Sequence, residues 1–147
     1  MTDFDPATYD WAPLVPELYV LDIERSLQFW CELLGFRTLY RRLESGFAYL
    51  EHERAQVMLE QSGAESWSVG DMAHPFGRGI NLQIATSSLR PMLDRLAAAN
   101  WPLFVPPTER WYRTGNAESG QRQFLVQDPD GYLLRFAEGL GERAIAP

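Results

Sequence analysis

Residues 14–36, LVPELYVLDIERSLQFWCELLGF, begin with the alternation of a β-strand. Leu18 and Val20 fall on one face of this strand, and Glu17 and Tyr19 fall on the other, because successive side chains of a strand point to opposite sides. The first face is apolar and suits a protein core. The second face combines a carboxylate with an aromatic ring, which makes it a candidate for ligand contact.

The rest of this stretch has the spacing of an α-helix. Asp22 is a suitable N-cap, and apolar residues recur every three or four positions from Ile23 to Leu34. Gly35 is a suitable helix terminator. The stretch therefore predicts a strand that leads directly into a helix, with apolar faces that can cover each other.

The same order of patterns returns in the second half of the chain. Residues 80–85, INLQIA, alternate like a strand, and residues 89–97 carry an apolar stripe at helical spacing. Because short strand candidates follow each helix, we predict an α+β fold of two βαβββ modules, with the helices on the outer face of a curved mixed sheet. The further strand candidates lie at 36–41, 47–51, 56–60, 103–105, 123–127 and 132–136.

Five segments are predicted within what we expect to be one domain. Residues 1–13, with Asp, Pro and aromatic residues, form an N-terminal arm. The first module spans 14–61 and the second spans 79–138. Between them, 62–78 is a linker loop because Gly, Ser, Asp and Pro are frequent there. Residues 139–147 form a C-terminal tail.

The alternation of the strands also predicts a sheet face that points away from the helices. This face is polar and aromatic, whereas ligand pockets are mostly apolar with a few well-placed polar groups. It could line a pocket, face solvent or contact a second subunit, and alternation alone does not decide among these. Its predicted members are Glu17, Tyr19, Phe47, Tyr49, Glu51, Asn81, Gln83 and Arg135.

The composition argues against several classes of function. The 147 residues include 13 basic and 20 acidic side chains, for a formal charge of -7, whereas nucleic-acid binders usually carry a basic stripe. No segment approaches the roughly 20 apolar residues of a membrane span. Cys31 is the only cysteine, so no intrachain disulfide can form. We therefore expect a cytoplasmic protein without nucleic-acid or membrane partners, and its acidic charge would favour cationic small molecules.

Two motifs resemble those of the vicinal-oxygen-chelate superfamily. Residues 20–36, from VLDIERS to LLGF, and residues 124–136, FLVQDPDGYLLRF, are most similar to the corresponding parts of bleomycin-resistance proteins. The resemblance covers about residues 14–138. It implies paired βαβββ modules and an acidic homodimer with exchanged arms. It also implies that the dimer sequesters a bleomycin-type antibiotic in grooves between its subunits, without catalysis.

The resemblance also implies three positions at which metal-dependent members hold their metal. Here these positions carry Val15, Gly79 and Arg135. Val and Gly side chains have no lone pair to donate, and Arg is cationic without an acceptor. We therefore expect no metal and no cofactor. Arg135 is then expected either to pair with Glu17 or to hold an anionic group of a ligand.

An enzyme of the same superfamily, such as a dioxygenase, lyase or isomerase, is the alternative function. Its metal would need other ligands, for instance Glu17, Glu51 and Glu60. A binder of another small molecule is a further alternative, because one fold supports many functions.

Aromatic residues in two predicted loops are candidates for contact with a flat cationic ligand. Trp67 lies in the linker, near Phe76, and Trp111 and Tyr112 lie in PPTERWYRTG, residues 106–115. Exposed aromatic rings can stack on planar or cationic groups, although contact with a second subunit is the alternative. The predicted ligand-binding residues are Tyr19, Phe47, Tyr49, Trp67, Asn81, Gln83, Trp111 and Tyr112.

Overall fold

The computed structural model describes residues 4–63 and 66–147. It contains two compact units that divide between Ala73 and His74, inside the segment predicted as a linker. Each unit runs strand, helix and three further strands, and each holds one four-stranded mixed sheet. The predicted α+β fold of two βαβββ modules is therefore confirmed.

The sheet of the first unit has the strand order β1-β4-β3-β2. Its first strand runs parallel to β4, and the other pairs are antiparallel. A parallel pair requires a crossover connection, which helix α1 begins. The elements are β1 (Glu17–Val20), α1 (Ile23–Leu27), β2 (Arg37–Arg42), β3 (Phe47–His52) and β4 (Ala55–Gln61).

The helical segment that starts with α1 begins and ends where the sequence indicates. The Asp22 carboxylate accepts hydrogen bonds from the backbone N–H groups of Glu24 and Arg25, at 3.0 and 3.2 Å. The helix widens into a π-helix over Gln28–Leu33, and Gly35 follows with a φ of 85°. No helix in the described part of the chain is long and apolar enough to cross a membrane.

The strand register separates the two faces of the first sheet as predicted. Glu17, Met58 and Tyr49 lie side by side on the face away from α1. One residue further along, Leu18 and Leu59 point to the opposite face and are buried. The helix therefore covers the apolar face, and the polar and aromatic face needs another cover or remains open.

The second unit repeats this topology with the strand order β5-β8-β7-β6. Its first and last strands, β5 and β8, are again parallel. The buried Met92 and Leu96 of α2 form its core together with apolar strand residues such as Ile84, Leu134 and Phe136. The elements are β5 (Asn81–Ala85), α2 (Arg90–Ala98), β6 (Val105–Thr114), β7 (Ala117–Gln127) and β8 (Leu133–Ala144).

The assignment of residues 106–115 to a loop is wrong. Most of this segment belongs to β6, which forms a long hairpin with β7 that turns at Gly115. Pro106 and Pro107 hide the strand in the sequence. Because β6 is the edge strand of its sheet, one side of its backbone needs no ladder partner, so proline is tolerated there.

The segment predicted as a C-terminal tail is also mostly strand. Strand β8 continues to Ala144, which pairs with Ala117 of β7. Gly139 and Gly141 interrupt the sequence pattern and suggested the end of the strand. The pairing register of β7 with β8 shifts between Gly120 and Gln121. Gly141, which pairs with Gly120, has a φ of 97°, and regular pairing continues on both sides of the shift.

The described part of the N-terminal arm lies on the open face of its own unit. The Trp11 ring meets the Tyr49 ring edge-on at 5.0 Å, and Phe4 stacks over Tyr40 at 6.3 Å. Tyr9 contacts both Phe4 and Trp11 within the arm. The arm therefore covers the aromatic part of this face. An exchange of arms between two copies of the chain stays a prediction.

Gln56 anchors the arm to the sheet. Its buried side-chain oxygen accepts hydrogen bonds from the Ala12 backbone N–H at 2.9 Å and the Tyr49 hydroxyl at 2.5 Å. Its amide nitrogen donates to the Asp10 carbonyl at 2.9 Å. Because a buried polar group is costly without partners, these bonds favour the arm in its docked position.

We expect the substitution Gln56→Leu to loosen the arm and destabilise the protein by about 1–3 kcal/mol, because it leaves the partners of the amide unsatisfied. Thermal unfolding and limited proteolysis of the arm provide the measurements. Gln28→Leu, on the exposed side of the helical segment after α1, is the matched control. Equal stability and equal protease resistance of both variants would show that Gln56 does not anchor the arm.

Candidate ligand-binding site

A groove of about 840 Å³ lies on the part of the first open face that the arm leaves uncovered. It runs over β1 and β4, and the turn after β2 and the segment after β4 border it. We call it the acidic groove. Its lining residues are Glu17, Tyr19, Arg42, Glu44, Ser45, Glu60, Gln61, Gly63, Ser66 and Trp67.

The charged side chains give this groove its negative character. Among the described residues, the carboxylates of Glu17, Glu44 and Glu60 line it, together with one cation, Arg42. The Arg42 guanidinium lies 3.8 Å from the centre of the Phe47 ring, in a cation–π contact. A concave surface lined mainly by one sign of charge concentrates small molecules of the opposite sign.

Two aromatic residues complete the acidic groove. The Tyr19 hydroxyl accepts a hydrogen bond from the Trp67 backbone N–H at 3.0 Å, which ties the segment after β4 to the sheet. The Trp67 side chain itself is 88% exposed. An exposed indole beside carboxylates is well suited to stack on a flat cationic group.

The predicted site residues of the first unit fall into two groups. Glu17, Tyr19 and Trp67 line the acidic groove together. Phe47 and Tyr49 are on the predicted face but are buried, at 1% and 4% exposure. Arg42 covers the Phe47 ring, while the arm covers Tyr49, so the structure does not expose either ring to a ligand.

Burial affects the titration of the covered aromatic residues. Loss of solvent raises the pKa of Tyr49, and the negative charges that neighbouring tyrosines would carry raise it further. The pKa of Tyr9 is also raised, first by burial and then by the charge of Glu51. Both hydroxyls therefore stay protonated at neutral pH.

Among the groove residues that sequence reasoning missed are two charged ones, Arg42 and Glu44. They lie around the turn between β2 and β3, where Leu43–Ser45 form one 3₁₀ turn and Gly46 has a φ of 62°. The Ser45–Gly46 pair indicates the turn in the sequence. Nothing in the sequence indicates that this turn borders the same groove as Trp67.

Glu51 lies at the other end of the open face, beside the arm. Burial alone would raise its pKa, but the Arg54 backbone N–H and the Arg37 guanidinium, 2.6 Å away, bring the pKa below its usual value. Glu51 is therefore a paired carboxylate. It borders a separate groove of about 570 Å³ between the arm and the sheet.

The residues at the three metal-binding positions of the vicinal-oxygen-chelate superfamily do not fit a metal ion in this chain. Val15, Gly79 and Arg135 supply no metal-binding atom. Within residues 4–63 and 66–147, no three side chains of His, Cys, Asp or Glu are grouped closely enough to hold a metal ion. Of the alternative set of glutamates, Glu51 is already engaged by Arg37.

In the second unit, the register places several predicted residues on one open face. Gln83 of β5 lies beside Arg135 of β8, and Asn81 lies beside Leu133. The Nε atom of Arg135 is buried and has no hydrogen-bond partner within its own unit. Because Glu17 belongs to the first unit, the proposed Glu17–Arg135 pair stays a prediction.

The structure separates Trp111 from Tyr112. Successive residues of a strand point to opposite faces, so the two rings cannot line one surface as expected. The Trp111 ring lies against Gly120, under the guanidinium of Arg143 at 4.0 Å. The Tyr112 hydroxyl instead accepts a hydrogen bond from Gln123 at 2.9 Å.

Sequence comparison adds independent information. The profile of the Glyoxalase/Bleomycin resistance protein/Dioxygenase superfamily matches residues 12–136. The bleomycin resistance proteins of Geobacillus stearothermophilus and Staphylococcus aureus are each 31% identical to this chain over 131 residues. Each alignment covers 83% of this chain and 92% of the relative.

Solved structures share the fold. TioX from Micromonospora sp. ML1 superposes with a TM-score of 0.67 at 25% identity, over 88% of this chain and all of its own. A virulence protein from Salmonella typhimurium superposes with a TM-score of 0.62 at 21% identity, over 89% of this chain and 98% of its own.

The profile match, the relatives that align along nearly their whole length, and the two βαβββ units agree with one another. This chain therefore belongs to the glyoxalase/bleomycin resistance protein/dioxygenase superfamily.

Proposed function

We propose that this protein binds and sequesters a bleomycin-type glycopeptide antibiotic, without making or breaking a bond. The observation that carries the proposal is the acidic groove, where three carboxylates lie beside the exposed ring of Trp67. Drugs of the bleomycin class combine a flat bithiazole with a cationic tail. The named bleomycin resistance relatives, at 31% identity, support the same ligand class.

Each part of the groove has a separate role in this proposal. Glu17 and Glu60 attract the cationic tail, while the Trp67 indole stacks on the flat ring system. Tyr19 positions Trp67 through the hydrogen bond to its backbone N–H. Asn81, Gln83 and Tyr112 of the second unit stay proposed ligand contacts.

Sequestration requires only binding. When the concentration of the protein exceeds the dissociation constant of its complex with the drug, binding lowers the concentration of free drug by mass action. The side chains at Val15, Gly79 and Arg135, which offer no metal-binding atoms, support a binding role over metal-dependent catalysis. The proposed homodimer is tested separately, by the sedimentation of the purified protein.

Isothermal titration of the purified protein with metal-free bleomycin, phleomycin and an unrelated cationic compound tests the function. We expect saturable binding of the two glycopeptides and no release of altered drug on long incubation. If neither glycopeptide binds, the drug assignment is wrong, while membership of the superfamily is unaffected.

We expect Glu60→Gln to weaken bleomycin binding about fivefold and to reduce its dependence on salt. The substitution removes one negative charge from the groove, and the attraction between that charge and the cationic drug contributes about 1 kcal/mol. Titration at two ionic strengths measures both effects. Glu32→Gln, an exposed position in the helical segment after α1, is the matched control. An equal loss in both variants would mean that only net charge matters.

We expect Trp67→Ala to weaken bleomycin binding by roughly 2- to 30-fold, since a cation–π contact contributes about 0.5–2 kcal/mol. Trp67→Phe should retain most of the affinity, because it keeps a flat ring. Because Trp67 is largely exposed, both variants should unfold at the temperature of the wild type. Unchanged affinity of Trp67→Ala would remove this residue from the site.

A further inference from the structure

We infer that the open face of the second unit is a binding site for the carboxylate of a small molecule, built around Arg135. This inference goes beyond the proposed function, in which Gln83 and Tyr112 are only drug contacts. It does not depend on that function, because carboxylate binding at Arg135 can be measured in the absence of the drug. We call the new site the donor face. Its central side chains are Gln83, Tyr112, Gln121, Gln123 and Arg135.

The strand register brings these side chains to one face. Arg135 of β8 lies between Gln83 of β5 and Leu125 of β7. Further along β8, Gln121 lies opposite Gly139, and the Gln121 side chain reaches across the sheet to Gln83. Residues from neighbouring strands can therefore act together on this face.

Hydrogen bonds link the amides into a chain with a defined direction. Gln123 donates to the Tyr112 hydroxyl oxygen at 2.9 Å, and Gln121 donates to the side-chain oxygens of Gln123 at 2.6 Å and Gln83 at 3.4 Å. The oxygens of Gln83 and Gln123 are therefore engaged. The groups that remain at the two ends are the Gln83 amide N–H groups and the Tyr112 hydroxyl hydrogen, and both are donors.

Arg135 adds the strongest donors to this face. Its Nε is buried and has no hydrogen-bond partner among the described residues of its own unit, 74–147. Guanidinium groups have five N–H donors and no acceptor. A buried donor without a partner in its own unit is well placed to meet an acceptor on a ligand.

Carboxylates are absent from this face in residues 81–85, 121–127 and 133–137. In these ranges the side chains that alternate toward it are amides, apolar groups and Arg135, and Arg110 of β6 lies beside Gln121 on the same face. Glu138 pairs in register with Arg122 on the opposite face, and Glu118 is held by Arg143 at 2.8 Å. Glu142 alternates toward the donor face but pairs with Ser119, seven positions along β8 from Arg135. No acid therefore lies next to Arg135 in the strand register of this unit.

A carboxylate satisfies these features together. It is planar, carries negative charge and accepts two hydrogen bonds from the fork of a guanidinium. The Gln83 amide can donate to it from the adjacent strand. Leu125 and Leu133, beside Arg135 and Gln83 on the same face, provide apolar contact for the rest of the molecule. A cationic ligand is disfavoured here, in contrast to the acidic groove.

The test uses four probes of similar shape: benzoate, benzamide, phenyl phosphate and benzylamine. The ¹⁵N spectrum of the full chain resolves arginine Nε–Hε and glutamine side-chain signals. We expect benzoate to shift the signals of Arg135 and Gln83 in a saturable manner. Benzamide should bind about tenfold more weakly because it lacks the charge, and benzylamine should leave both signals unchanged.

Variants separate the donor face from general charge effects. Arg135→Gln should weaken benzoate binding about tenfold or more, and Tyr112→Phe, at an exposed position, should weaken it less without loss of folding. Arg122→Gln, an exposed arginine on the opposite face, is the matched control. Bleomycin titration of Glu60→Gln and Trp67→Ala, which alter only the acidic groove, reports on the proposed function separately.

Three results would overturn the assignment. One is an Arg135 Nε–Hε signal that does not move at saturating benzoate. Another is equal binding of benzoate by wild type, Arg135→Gln and Tyr112→Phe. The third is tighter binding of phenyl phosphate than of benzoate, which would assign the face to phosphate.

Discussion

The parallel pairing of the first and last strands within each unit is the constraint on which the rest of the structure depends. Strands β1 and β4, and likewise β5 and β8, can pair in parallel only if the chain crosses over between them. A helix begins each crossover and buries one face of the sheet. The other face has no cover of this kind, so each unit keeps a surface that is free for other uses.

The two units use their open faces in different ways. In the first unit, the arm covers the aromatic half, and the remaining half is the acidic groove. In the second unit, a chain of amides and an arginine offer hydrogen-bond donors. The same topology therefore carries one acidic surface and one surface rich in hydrogen-bond donors, because alternation places the side chains on these faces without disturbing the core.

Some features were predictable because they depend on neighbours in sequence. The Asp22 cap, the terminating Gly35 and the alternation of Leu18 with Tyr19 follow from spacing alone, and the structure contains all of them. The long hairpin of β6 and β7 was not predictable in this way. Two prolines are tolerated only because β6 is an edge strand, and its position at the edge is a property of the whole sheet.

The candidate site shows the same division. Alternation placed Glu17, Tyr19 and Tyr49 on the open face, and this was correct. It did not indicate that Tyr49 is buried, because the arm that covers it is held by Gln56, more than forty residues away in sequence. Alternation would have separated Trp111 from Tyr112 if their segment had been recognised as a strand.

The sequence by itself determined the superfamily, the two βαβββ units, the faces of their strands and the absence of metal-binding atoms at Val15, Gly79 and Arg135. Each of these depends on local spacing or on the chemistry of single side chains. Only the tertiary structure decided which of the outward-facing residues remain accessible. Accessibility depends on contacts between segments far apart in the chain, and local spacing carries no information about those contacts.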